Sequence, residues 1–291
     1  MNNKDPFIII LGTAQDGGIP HCGCKKSCCA ESWINTRAQK YASCLGIIDP
    51  ISMSVWLVDI TLDFKYQLNM LANLWLFKEG APDIKGIFIT HGHVGHYSGL
   101  LFLEKAIMNS KDISVYAMTK MRHMLESNRP WKDLITNRNI KLFSLSDDKK
   151  IRLNDNILLT PFLVQHRDEY TETVGFIISG PRKKVLYIPD IDSWKGFKQI
   201  DDMIRDYDFA LIDGTFFDIG ELPNRNIKEV PHPFISCSLI KFNGLSQKDK
   251  SKIRFIHLNH TNPVLKTKSK QSKFVHLRNF TIASQGDIIK I

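Results

Sequence analysis

Apolar residues along this chain come in short bursts, and most bursts stop at polar side chains able to ligate a metal. The first, Phe7-Ile8-Ile9-Ile10-Leu11, reads as a buried strand that gives way to the glycine loop Gly12-Thr13-Ala14-Gln15-Asp16-Gly17-Gly18. β-Branched and aromatic content predicts further strands at residues 51–60, 86–89, 113–117, 140–143, 157–163, 173–178, 184–188, 209–212 and 255–256. Apolar positions at helical spacing predict helices over residues 68–78, 97–108 and 119–126. The alternation is that of a mixed α/β protein. There is no internal repeat and no linker, so residues 1–291 are expected to form a single domain.

The strand ends carry the chemistry. Residues 86–89 run into Thr90-His91-Gly92-His93-Val94-Gly95-His96, and residues 157–163 run into Val164-Gln165-His166-Arg167-Asp168. Residues 184–188 end at Pro189-Asp190-Ile191-Asp192, and 209–212 at Asp213-Gly214-Thr215. Residues 255–256 end at His257-Leu258-Asn259-His260-Thr261-Asn262-Pro263. One aspartate at a strand end is ordinarily a turn residue. A series of such ends is the pattern of a site built on loops at one end of a pair of sheets.

Three of the chain's ten histidines fall within six positions, 91 to 96. On extended backbone, side chains two residues apart point the same way, so His91 and His93 can grip one ion. His96 stands near a helix start and faces a second. Neutral imidazole is the commonest protein metal ligand.

Composition changes the picture in three places. Four of the six cysteines lie between positions 22 and 29. No apolar run is long enough to span a membrane, and the first strand lacks a cleavage pattern after it, so the chain is expected in the cytoplasm, where thiols stay reduced. There a thiol cluster reads as a zinc site: Cys22 and Cys24 plus Cys28 or Cys29 supply three ligands, and a fourth comes from elsewhere. Cys44 and Cys237 are expected as small core residues. Finally, the net charge of +9 resides in residues 241–291, which hold eleven Lys or Arg against Asp249 and Asp287. Such a basic end can steer an anion. The run 266–273 has no aromatic residues between its lysines to stack bases, which argues against nucleic acid as a substrate.

The histidine stretch resembles the His-x-His-x-Asp-His motif of the metallo-β-lactamase superfamily. The resemblance implies an αββα sandwich of two mixed β-sheets flanked by helices. Gly95 stands where the motif has aspartate, so one ligand of the second ion is missing. The glycine loop, the cysteine cluster, His166 to Tyr170, Tyr187 to Asp192, Asp213-Gly214-Thr215 and Asn259 to Pro263 are similar to the pyrroloquinoline-quinone biosynthesis protein B family. That family characteristically lacks the first two histidines, whereas this chain keeps His91 and His93. In this it resembles the cyclic phosphodiesterases of the carbon–phosphorus lyase pathway, which also carry an N-terminal cysteine cluster.

Carried onto this sequence, the resemblance implies that His91, His93 and His166 hold a first ion. His96 and His257 then hold a second, with Asp190 bridging. The catalytic site would take one or two divalent ions (zinc, manganese or iron). His260 would complete a structural zinc with Cys22, Cys24 and Cys28 or Cys29. Asp192, Asp168 and Asp213 are candidates to orient the histidines. His232, between Pro231 and Pro233, is a candidate general acid. The implied activity is a metal-dependent hydrolase acting on a small anionic ester, most readily a phosphodiester. The second reading is a cofactor-biosynthesis protein of the quinone B type, either an oxidative metalloenzyme or a metabolite carrier. A homodimer is compatible with either.

Overall fold

The computed structural model describes residues 4–74, 82–222, 226 and 230–291. The chain opens with β1 (Phe7–Gly12) and a short helix α1 (Ala30–Ile34), followed by β2 (Cys44–Asp49), β3 (Ser54–Val58) and α2 (Phe64–Ala72). Next come β4 (Asp83–Phe88), α3 (Val94–Tyr97), β5 (Ile113–Ala117), α4 (Thr119–Ser127), α5 (Trp131–Thr136) and β6 (Ile140–Ser144). The second half contains β7 (Ile151–Arg152), β8 (Leu158–Val164), β9 (Thr173–Ser179), β10 (Lys184–Ile188), α6 (Ile200–Asp206) and β11 (Phe209–Asp213). It closes with α7 (Ile235–Lys241), α8 (Gln247–Lys252), β12 (Ile253–Ile256), α9 (Lys270–Leu277), β13 (Thr281–Ile282) and β14 (Ile288–Lys290).

The strands form two seven-stranded mixed sheets, ordered β14-β1-β2-β3-β4-β5-β6 and β13-β12-β11-β10-β9-β8-β7. Side chains alternate across each strand. Ile8 and Ile10 of β1 therefore join Trp56, Phe88, Phe176, Tyr187 and Leu211 in a core between the sheets. Ile9 and Leu11 face the other way and pack with Phe64 and Leu71 of α2 and Met121 and Leu125 of α4. On the far side, Leu186, Ile188, Ile212 and Phe255 meet Ile200 of α6, Leu239 of α7 and Val275 of α9. Both faces of each sheet are thus covered, which is why the central strands read as unbroken apolar runs. The four layers are the expected αββα sandwich.

Several predicted elements shift. Residues 97–108 do not form one helix: α3 ends at Tyr97, a 3₁₀ segment spans Ser98–Leu103, and turns come after it. The Gly99 N–H bonds the Ile60 carbonyl, and Leu100 and Leu103 are buried at the three-residue period of a 3₁₀ turn. The strand expected over 51–60 is only Ser54–Val58, because a turn precedes it and Asp59 leaves it at φ +64°. The helix expected over 68–78 begins earlier, at Phe64, and its last part, 75–78, lies outside the described residues. Strand β2 was not anticipated. Cys44 is buried as expected, but Cys237 is exposed, since α7 turns Ile235, Ser238 and Leu239 inward and leaves residue 237 outside.

Candidate metal centre

Strand direction gathers the site. β1 is antiparallel to β2 and β2 to β3, while β3 and β4 are parallel, so β1, β3 and β4 all end at one edge of their sheet. In the other sheet β8 and β10 both run antiparallel to β9, and β10, β11 and β12 are parallel. The loops after these strands carry Asp16, Asp59, His91 and His93 from the first sheet, with His96 just beyond in α3. From the second they carry His166, Asp190 and His257, while Asp213 is the last residue of β11. A ladder of backbone bonds ties the two sets, with Leu258 N–H donating to Thr13 O at 2.8 Å and Gln15 N–H to Leu258 O at 2.9 Å.

The predicted histidines converge as two groups. His91 Nε2 lies 2.8 Å from His93 Nδ1, and His166 Nε2 lies 3.4 Å from the same atom. These three nitrogens face a common point. The second group is His96 and His257, joined by Asp16. Asp190 stands between the groups, 3.3 Å from His96 Nε2, 3.6 Å from His166 Nε2 and 3.5 Å from His257 Nδ1. Burial lowers His91 well below the ordinary imidazole range and brings His166 to about 4, so both offer neutral lone pairs. Burial alone would raise the Asp190 and Asp16 carboxyls. The surrounding imidazoles outweigh it and hold both well below the usual carboxylate range.

The test of whether a metal fits is hydrogen-bond satisfaction. Asp16 Oδ1, His96 Nε2, both Asp190 oxygens and His257 Nε2 are buried with no hydrogen-bond partner among the described residues. An unpaired buried polar atom costs about 1–3 kcal/mol. Five of them would offset most of a typical folding stability of about 5–15 kcal/mol. Divalent cations satisfy all five at once, so the residues fit the group.

Other polar atoms fix the ligands. Asp59 Oδ2 accepts from His96 Nδ1 at 2.7 Å, and Asp59 Oδ1 accepts from the Thr90 N–H at 2.8 Å. Thr90 Oγ1 is 2.9 Å from His91 Nδ1. Asp192 Oδ1 is 3.1 Å from His166 Nδ1. Asp213 accepts from the Thr215 hydroxyl, which sits 3.0 Å from His257 Nδ1. Asp192 and Asp213 thus stand where a ligand-orienting carboxylate would. Asp168 does not: its side chain is exposed, and its carbonyl faces Lys120. The loop 167–170 turns outward as Tyr170 N–H bonds back to Arg167 O.

His232 joins the cluster. Asp213 accepts from its Nδ1 at 2.8 Å, which leaves Nε2 as the other ring nitrogen, and its ring lies 5.2 Å from that of His166. Burial pulls its pKa down, but the Asp213 carboxylate outweighs burial and raises it. A cavity of about 270 Å³ opens above the cluster, lined by Gln15, Asp16, His93, Arg167, Asp190 and His232 among others. Among the described residues that line it, Arg167 alone carries a permanent positive charge. The lysines of residues 266–273 do not line this cavity. Lys266 instead faces a separate cavity beside the thiol cluster.

The thiol cluster differs from its expected membership. Cys24, Cys28, Cys29 and His260 come together, with His260 Nδ1 at 3.5 and 3.4 Å from the Cys28 and Cys29 sulfurs and Cys24 Sγ at 3.7 Å from Cys28. Cys22 is exposed and outside the group, because the Cys24 N–H bond to His21 O closes a turn that faces residue 22 outward. Both Cys28 and Cys29 take part, where one had been expected. Burial pushes the Cys29 thiol up to about 12, so three thiolates need a cation to coexist.

Sequence reasoning missed Asp59 and Asp16. Asp59 comes after a strand as the other site aspartates do, a signal that was present, but it lay inside a run read as strand.

Comparison with known proteins gives the same fold. A sequence model described as "Beta-lactamase superfamily domain" matches residues 56–235. Coenzyme PQQ synthesis protein B of Xanthomonas axonopodis pv. citri is 25% identical over 305 residues, covering 96% of this chain and 98% of that protein. The protein of the same name from Methylorubrum extorquens is 23% identical over 301 residues, covering 96% and 98%. The crystal structure of Zn(2+)-bound PqqB from Methylobacterium extorquens superimposes with TM-score 0.82 at 22% identity, over 98% of this chain and 100% of that one. A diphosphatase from the PhnP family does so with TM-score 0.70 at 20% identity, over 98% and 97%.

Proposed function

The chain belongs to the β-lactamase superfamily, and from that premise we propose that it is a metal-dependent hydrolase of a small anionic ester, a phosphodiester by preference. The observation that carries this reading is the set of five buried, partnerless ligand atoms converging from the loops of both sheets. His91, His93 and His166 would hold one divalent ion, and His96, His257 and bridging Asp190 a second. Cys24, Cys28, Cys29 and His260 would hold a zinc that joins the N-terminal loop to the segment after β12. Two ions in the catalytic site would supply an activated water and polarise the ester oxygen.

The remaining steps belong to the chain. Arg167 lies on the cavity wall, where it can pair with an anionic phosphoryl oxygen. The cavity is at the small end of ligand pockets, which favours a small substrate. His232, oriented by Asp213 through Nδ1, donates a proton from Nε2 to the leaving oxygen. Asp59 and Thr90 hold the His96 and His91 ring nitrogens that do not face the cluster, which keeps their ligand nitrogens turned inward, and Asp192 stands 3.1 Å from His166 Nδ1.

The similarity to PQQ synthesis protein B over nearly the whole chain favours a second reading, an oxidative or carrier role in cofactor biosynthesis. Metal content and turnover separate the two. Zinc or manganese with hydrolysis of bis-p-nitrophenyl phosphate supports the hydrolase. Iron with oxygen uptake and no ester hydrolysis overturns it in favour of the second.

A further inference from the structure

The superfamily motif places an aspartate where this chain has Gly95, yet the space is filled. A Cβ built on Gly95 would lie 2.2 Å from Asp16 Oδ1, 2.5 Å from Asp16 Cα and 2.7 Å from Asp16 Cβ. The loop after β1 therefore enters the volume that a side chain at position 95 would use. It delivers a carboxylate there: Asp16 Oδ1 is 3.4 Å from His96 Nε2 and 3.9 Å from His257 Nε2. All three atoms are buried and have no hydrogen-bond partner among the described residues, and the two histidine side chains are almost wholly enclosed.

The loop is held in this position from both sides. Gln15 N–H bonds Leu258 O, one residue from His257, and Gln15 O accepts from the Gly18 N–H, both at 2.9 Å. Gly18 takes φ +67°, a backbone that favours glycine, and so turns the chain back directly after Asp16.

We infer that Asp16 is the carboxylate ligand of the second ion, supplied by the glycine loop in place of the motif residue that Gly95 lacks. Gly95 and Asp16 then form one device. The absent Cβ admits the loop, and the loop restores the missing ligand. A side chain at position 95 and the present path of the loop exclude each other. The carboxylate also returns the negative charge that Gly95 alone removes. The electrostatic preference for anions then rests on the two ions and Arg167. The inference rests on the metal-centre reading of the histidine cluster.

The test counts ions. Metal-depleted protein is titrated with zinc, and bound equivalents are read calorimetrically and by elemental analysis, for wild type, Asp16→Asn and Gly95→Ala. Wild type should take up two ions at the histidine cluster besides the thiol-bound zinc. Asp16→Asn should lose one, or bind it weaker by more than the roughly 10–100-fold typical of losing an outer hydrogen-bond partner. Gly95→Ala should do the same with Asp16 intact, because the added carbon displaces the loop. Two ions bound by Asp16→Asn at wild-type affinity overturn the inference and leave the hydrolase reading standing. A wild type that binds only the thiol-held ion overturns both. A zinc-soaked wild-type crystal, which needs no variant to fold, decides independently: an ion within ligand distance of Asp16 supports the inference, and two ions with Asp16 turned away overturn it.

Discussion

Asp59→Asn changes one atom of the site and should weaken one ion. Asp59 Oδ2 accepts from His96 Nδ1 at 2.7 Å, which leaves His96 Nε2 bare and turned toward Asp16 and Asp190. Asparagine keeps the oxygen that takes the Thr90 N–H at 2.8 Å, so the local fold has its anchor. Its amide, however, donates to Nδ1. The imidazole proton must then sit on Nε2, the nitrogen a metal needs unprotonated. Losing such an oriented partner costs about 10–100-fold in metal affinity, or roughly 1.4–2.7 kcal/mol. Titration of the metal-depleted variant with zinc, against a competing chromophoric chelator, measures this. Circular dichroism controls for the fold. The ion on the His91 side and the thiol-held zinc should be unaffected. Asp59→Asn binding every ion as tightly as wild type would refute the argument that tautomer control is the role of Asp59.

The thiol cluster predicts that Cys29→Ser loses zinc and melts lower while Cys22→Ser keeps both zinc content and melting temperature; equal behaviour of the two would contradict the cluster's membership. His232→Ala should retain its metal content but lose about 10²–10⁴ in kcat for phosphodiesters with poor leaving groups, and much less for p-nitrophenolate, which needs no proton; unchanged turnover on both removes the acid role. Burial pushes the Glu221 carboxyl up to about 7. Because the folded value lies above the unfolded one, stability is full at pH 4 and declines up to pH 7. Glu221→Gln should therefore be more stable than wild type at pH 8, by about 1–2 kcal/mol after allowing for partial exposure, and not at pH 4. A constant difference across that range in denaturant melts would show that Glu221 does not titrate between the two states.

The parts of the site that could be read from the sequence are those carried by local pattern. His91, His93, His96, His166, Asp190 and His257 each come after an apolar run, and parallel strand direction then brings their loops to one edge. The parts that could not be read depend on three-dimensional approach. Asp16 matters because a loop crosses the face of Gly95, which neither residue announces. Cys22 drops out because of one turn closed by the Cys24 N–H, and Cys28 and Cys29 both join the group where one of them was expected, differences that ligand spacing does not encode. The helix expected over 97–108 failed for a related reason. Its apolar spacing fits a 3₁₀ segment as well as an α-helix, and contact with the Ile60 carbonyl selects the tighter form. No helix among the described residues is long and apolar enough to cross a membrane.

Whether the histidine cluster is a metal centre is decided by elemental analysis of protein purified without added metal, alongside a His91→Ala, His93→Ala double variant. The wild type should carry transition metal at both the histidine and thiol sites, with the double variant losing metal from the histidine cluster and keeping the thiol-bound ion. No transition metal in the wild type, or the same content in the double variant, would contradict it.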